Sequence, residues 1–327
     1  MTFAGGGRRA GLRLLHSAPL LLLLLLLVIA AALDRWIVSP ANLEDVVVQA
    51  TPIAMLALGA MIVLVSGGID LSAGFGVSLC AIVVARVLVA QGSLGLALAA
   101  VLAVGALLGL INGLLIGTLQ MPPFVATLGA MVVVQGVTLF LATGGVLIVA
   151  DPLLQTIGTG SLGPVPGPLV ATGVVAVVVG FLVRGTRFGV RTFALGSSAE
   201  AAELSGVPRA RQVILIYVLS GVLTALTALL LVGRTAVVTP NIGGLPLLLD
   251  AVAATVLGGT SIFGGRGTVS GTLIGALIIS LVTNMLRVIG VEASVLDFFT
   301  GLIILVALVG DASIRAANAR LDAGQPV

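Results

Sequence analysis

Lysine is missing from this chain of 327 residues, and all fifteen basic side chains are arginine. A P-loop needs a lysine against the nucleotide phosphates, and a Schiff-base mechanism needs a lysine amine, so both are excluded. The sequence holds one histidine, His16, and one cysteine, Cys80. Neither a zinc site of several histidines nor an intrachain disulfide can be built from them. Charge is scarce too: 8% of residues are charged, against roughly a quarter in a soluble domain. The arginines fall at the ends of apolar runs rather than in a stripe, so nucleic acid is not an expected partner. No residue pattern asks for a cofactor.

Apolar residues fill the space that charge leaves. They make up 59% of the chain, and the mean hydropathy is +1.30. Runs near twenty residues recur throughout, each long enough to cross a hydrocarbon core. The chain reads as an all-α, polytopic membrane protein with about ten transmembrane helices. Their expected positions are 17–37, 46–66, 71–91, 93–117, 122–143, 168–183, 212–233, 247–263, 267–288 and 291–310. No soluble domain or linker interrupts them, so residues 1–327 form a single transmembrane domain. The first run could end in a signal-peptide cleavage site near residues 30–32, but its length favours a retained anchor.

Orientation follows from the arginines. With the N-terminus inside, eleven lie on the cytoplasmic side, and Arg35, Arg86, Arg234 and Arg287 lie outside. Both termini then come out cytoplasmic. The longest inner connection is 184–211, with five arginines; the longest outer one, 144–167, is nearly uncharged and rich in glycine and proline.

Within the inner loop, "SAEAAELSG" spells a short helix. Ser197 and Glu200 have capping-box spacing, and Gly206 followed by Pro208 reads as a stop. Two turns of helix outside the bilayer can be a solvated loop helix or a docking knob for a cytoplasmic partner. A helix this short is marginal by itself. A second feature is "SGGIDLSAG", which places Asp70 between two apolar runs. A charge at mid-bilayer costs about 2.5–3.5 kcal/mol on insertion scales, so it needs a partner, water or a shallow position. Asp70 can cap the next helix by accepting N–H bonds, with Gly67 and Gly68 permitting the turn. Alternatively Asp70, Ser66 and Ser72 belong to a re-entrant break that lines a pathway. Gly109, Gly113 and Gly117, like Gly271 and Gly275, have the spacing of close helix contacts within a fold. "GGTSIFGGRGTVSG" (258–271) reads as a tight hairpin rather than a phosphate cradle. Asp250, Arg287, Glu292 and Asp297 fall near expected outer helix ends, as interfacial charge or as a docking rim.

Taken in order, several stretches resemble one family. "EAAELSG" (200–206) is similar to the EAA coupling motif of ATP-binding-cassette permeases. "SGGIDLSAG" (66–74), "MPPFVATLGAM" (121–131), "RGTRFGVRTFALG" (184–196), "YVLSGVLTAL" (217–226) and "LDAVAATVLGGTSIFGGRGTVSGTLIGAL" (249–277) resemble permeases of ribose-type monosaccharide importers. Branched-chain amino-acid permeases share the architecture but lack the G-G-I-D-L-S signature. The chain departs from the family pattern in Ser197 and Ser198, which stand where Gly-Asn is frequent, and in Glu203, which replaces an arginine.

The resemblance implies a permease subunit in the bacterial inner membrane, without catalysis of its own, moving a monosaccharide or similar polar solute by alternating access. Its implied partners are a second permease copy or homologue, two cytoplasmic ATPase domains, a periplasmic or lipid-anchored sugar-binding protein, and membrane lipid. Ser197, Glu200, Ala201, Ala202, Glu203 and Gly206 would couple to the ATPase. The alternative is a self-sufficient, proton-coupled secondary transporter, which calls for acids at mid-depth. Asp297 would be the candidate for that role.

Overall fold

A computed structural model describes residues 5–143, 145–149, 151–292 and, beyond them, 295, 298, 299, 301, 302, 305 and 309, with side chains from residue 18 onward. Serine or proline opens α2, α4 and α5. Helix α1 (Gly5–Leu33) leads to α2 (Pro40–Val65), whose cap Ser39 accepts from the Asn42 N–H. Then come α3 (Ala73–Val89), α4 (Leu94–Gly117) capped by Ser93, and α5 (Pro123–Ala142). Proline stands at the first helical positions of α2 and α5, where no N–H is needed.

The connection after α5 is more ordered than its glycine and proline content suggests. It holds β1 (Leu147–Ile148), α6 (Pro152–Gly158), β2 (Ser161–Leu162) and β3 (Val165–Pro166). Asp151 caps α6 by accepting from the Leu154 N–H at 2.9 Å. Helices α7 (Gly167–Gly185), α8 (Arg187–Ser197), α9 (Ala199–Leu204) and α10 (Arg209–Thr235) follow. The described chain continues with β4 (Val237–Val238), α11 (Gly244–Leu257) and α12 (Val269–Val288). The only sheets among the described residues are two-residue ladders, β1 with β4 and β2 with β3, both antiparallel.

Six of these helices, α2, α4, α5, α7, α10 and α12, are long and apolar enough to cross a membrane. Residues 18–33 of α1, α3 and α11 are apolar but shorter. Each of the first nine expected segments overlaps one of these nine helices. Segment 291–310 and Asp297 fall largely or wholly outside the described residues. Two boundaries move by six residues: the second segment begins at Pro40 instead of 46, where Ser39 caps the helix, and the eighth ends at Leu257 instead of 263, because Gly258 and Gly259 (φ +86°) turn the chain there.

Burial identifies the axis of the bundle. In the most apolar stretch of α2, 78% of residues are buried, against 22% in α4 and α5. Helix α2 is therefore central, and α4 and α5 keep wide apolar faces outward. The glycine rows do what their spacing suggests, within the chain. Gly105 lies on Gly221, Gly109 on Tyr217, Gly113 on Ile214 and Gly117 on Ala210, so α4 and α10 run antiparallel in backbone contact. Gly271 and Gly275 likewise press α12 onto Gly258 and Ala254 of the α11 side.

Several polar side chains in the core pair across helices, while Asn112 Oδ1, Thr172 Oγ1 and Thr260 Oγ1 are buried without a partner among the described residues. Asn42 and Asn284 exchange amide hydrogen bonds at 2.9 and 3.1 Å, joining α2 to α12, and the Ser280 hydroxyl donates to the Val46 carbonyl at 2.7 Å. The same contacts fix depth. Thr255 donates to the Ala57 carbonyl at 3.2 Å, and Ala254 meets Gly275. Asp250, one turn before Ala254, is thus level with Pro52 at the middle of α2. The expectation that Asp250 sits at an outer helix end is corrected: α11 has only 14 residues and starts deep in the bundle, where Gly244 touches Gly74.

Candidate functional site

Ser198 is the pivot of the inner loop. Its N–H donates to Ala194 at the end of α8, while its hydroxyl caps α9 by accepting from the Ala201 N–H at 3.2 Å. The expected cap, Ser197, instead donates its hydroxyl to the Phe193 carbonyl at 2.9 Å. The capping box with Glu200 is therefore absent. Glu200 occupies the first turn of α9, where a negative charge favours the helix dipole.

Helix α9 ends cleanly. Gly206 donates to the Glu203 carbonyl at 2.9 Å and Val207 to the Ala202 carbonyl at 3.0 Å, with Gly206 at φ +82°. Those two bonds and the left-handed glycine make a Schellman stop. Arg209 pairs with Glu203 at 3.2 Å. The alanines divide: Ala201 is exposed, but Ala202 is buried against its own chain. What α9 offers outward is Glu200, Ala201, Glu203 and Leu204, the last 85% exposed.

This small helix stands on a rigid base. Gly196, near the end of α8, lies directly on the Val65 carbonyl at the end of α2 and beside Gly264 and Gly265. Gly265 donates to the same Val65 carbonyl at 2.8 Å, and Ser261 donates to Arg266 to close the 258–268 hairpin. Gln212 of α10 donates to the Phe188 carbonyl at 3.0 Å and to Thr192 at 2.9 Å, fastening α8 from the other side. Besides α6 in the outer connection, α8 is a second helix not expected from the sequence. Its amphipathic run "RFGVRTFALG" was the available signal.

The break at 66–72 adjoins this base. Gly67 (φ +81°) donates to Leu64 at 2.9 Å and Gly68 to Val63 at 3.0 Å, a second Schellman stop, while the Ser66 hydroxyl folds back onto the Val63 carbonyl at 2.7 Å. The Asp70 carboxylate accepts from the Ser72 N–H at 3.0 Å and from its hydroxyl at 2.6 Å. Asn112 of α4 donates to Ser72 at 2.8 Å; Tyr217 of α10 and Thr127 of α5 donate to the Ile69 carbonyl at 3.1 and 3.3 Å. Three helices therefore hold one seven-residue turn in place.

Asparagine at position 70 keeps an acceptor for Ser72, so Asp70→Asn should hold membrane yield and uptake near normal. Asp70→Leu removes both bonds and should lower yield, at a cost of about 1–3 kcal/mol for the donors left buried. Quantitative blotting of membranes beside uptake per molecule checks this. Normal yield with abolished uptake in the asparagine variant would contradict it.

Helix α9 thus follows directly on α8, which is itself held by the end of α2, by the 264–265 turn and by Gln212 of α10. Residues 42–308 match the family model described as branched-chain amino acid transport system / permease component. The chain belongs to this permease family. Ribose import permease protein RbsC of Escherichia coli (strain K12) is 34% identical over 274 residues, covering 83% of this chain and 85% of that one. The RbsC of Bacillus subtilis (strain 168) is 37% identical over 276 residues, covering 84% and 85%. Galactose/methyl galactoside import permease protein MglC of E. coli (strain K12) is 36% identical over 302 residues, covering 85% and 88%. No solved structure matches the chain. The family model is described by amino-acid transport, whereas these relatives are named for sugars. Both describe a permease, and the six long apolar helices place this one in a membrane.

Proposed function

We propose that the chain is the membrane-spanning subunit of an ATP-binding-cassette importer for a monosaccharide or similar polar solute. It pairs with a second permease, with two cytoplasmic ATPase domains on the 184–211 side, and with a sugar-binding protein outside. The observation that carries this reading is α9, with Glu200, Ala201, Glu203 and Leu204 outward on a base formed by α8, Val65 and the 264–265 turn. Closure of the ATPases would push α9, and the base would pass the displacement to α2 and the 66–72 turn. Alternating access follows from that displacement. Sugar as the solute is supported by the names of the relatives.

Asp250 at mid-depth is the kind of acid that a proton-coupled transporter would need. Such a transporter has no task for a braced helix outside the bilayer.

The reading requires ten crossings, both termini inside and α9 in the cytoplasm. Ser198 and Thr159 are both exposed, on opposite ends of the bundle. With the buried Cys80 replaced, Ser198→Cys in sealed cells should resist an impermeant thiol reagent, and Thr159→Cys should react. Labelling at position 198 would reverse the orientation and remove the docking role.

A further inference from the structure

Gln49, Arg234, Asp250, Thr283 and Arg287 reach from α2, α10, α11 and α12 into one cleft of about 320 Å³. A proline builds its floor. Pro52 lacks the N–H that would bond the Val48 carbonyl one turn earlier, so that oxygen is left for other donors. Thr51 donates to it at 2.7 Å, and Arg234 reaches it at 3.5 Å. Arg287 extends to donate to the Gln49 amide oxygen at 3.2 Å. The cleft therefore runs from the ends of α10 and α12, marked by the two arginines, down to Pro52 and Asp250 at mid-depth. It lies in the half of the bundle away from α9.

Its charges offset one another. By formal charge, Arg234 and Arg287 share the cleft with Asp250, and the charge of Asp45 acts on Arg234, as does that of Arg287 in the opposite sense. A net anion or cation gains little there. Hydrogen-bonding capacity is what the cleft retains. Each guanidinium has five N–H donors, and among the described residues Arg234 and Arg287 each spend one on a protein acceptor. The Gln49 NH₂ group and the Thr283 hydroxyl add donors and an acceptor. Planar amide and guanidinium groups present their N–H donors in pairs, so one side chain can serve two neighbouring hydroxyls. The size is at the small end for ligand sites.

We infer that this cleft is a weak, outward-facing site for a neutral polyhydroxylated solute, with Gln49, Thr283 and Arg287 binding its hydroxyls on the way through the bundle. It rests on the import reading and its orientation, and names residues that neither supplies. Weakness suits a transit site, since the arginines keep their protein partners and the solute adds to them without replacing them.

The test uses Thr283→Cys, with Cys80 replaced by alanine, in the assembled transporter in sealed cells. An impermeant maleimide should label it, excess D-ribose or D-galactose should slow labelling severalfold, and sulfate should not. In parallel, Gln49→Leu should lower sugar uptake about tenfold at limiting sugar through one lost hydrogen-bond partner, with normal membrane yield and normal association with the ATPase. No labelling, no protection by any sugar, protection by sulfate alone, or unchanged uptake in Gln49→Leu would each overturn the site. If Thr283→Cys still transports with ATP but is never protected, the cleft assignment fails and the import reading stands. Uptake by the unsubstituted chain without any ATPase would remove the import reading instead.

Discussion

Gly109→Val should remove folded protein from the membrane almost completely. A Cβ at position 109 would fall on the backbone of Tyr217 and Val218, and backbone cannot step aside as a side-chain tip can. Overpacking in a core costs about 1–3 kcal/mol when side chains can adjust. Here α4 and α10 must separate along a contact that also includes Gly105, Gly113 and Gly117, so the loss should exceed that range. Separation would also pull Tyr217 from the Ile69 carbonyl and Asn112 from Ser72, freeing the 66–72 turn. Gly180→Val is the control, because nothing lies within 4 Å of a Cβ there. It should leave membrane yield and detergent-extracted monodispersity unchanged. Equal yields for the two variants would contradict the packing argument.

The second large effect is expected without unfolding. Leu204 is 85% exposed, so Leu204→Arg changes almost nothing inside the chain. An exposed leucine beside two acids, on a helix too short to persist by itself, fits an anchor buried by a partner. Burying a leucine side chain stabilises by about 1.5–3 kcal/mol, so its loss should weaken the complex roughly ten- to hundredfold. Gly206→Val should act similarly by a different route: space is open around it, but φ +82° is strained for a side chain with Cβ. Both proteins should reach the membrane in normal amounts while purified complexes lose the ATPase. Ala202→Trp would be a poor probe, since Ala202 faces inward and the substitution would distort α9 itself. Normal uptake by both Leu204→Arg and Gly206→Val would contradict the coupling role.

The span pattern was legible because hydropathy reports length and polarity directly. The glycine rows were legible because four-residue spacing puts them on one helix face. What stayed hidden depends on contacts between distant segments. "GSSAE" contains two serines at capping positions, and only the turn from α8 into α9 selects Ser198. Ala201 and Ala202 are identical in sequence terms, and packing alone separates the exposed one from the buried one. The depth of Asp250 could not be read from its place in a segment. It follows from α11 beginning against Gly74, a contact across 170 residues. Asp70 was legible as a cap or pathway candidate between two helices, but Asn112, Tyr217 and Thr127, which hold the 66–72 turn, carry no local signal.

Uptake into sealed vesicles measures the central claim most directly. The chain is reconstituted with the ATPase and sugar-binding protein of a ribose-type importer, with ATP inside and labelled ribose or galactose outside. Uptake should require all three proteins and ATP, and should collapse with Leu204→Arg. Accumulation of sugar by the chain alone, driven by an imposed proton gradient with no ATPase present, would contradict the account.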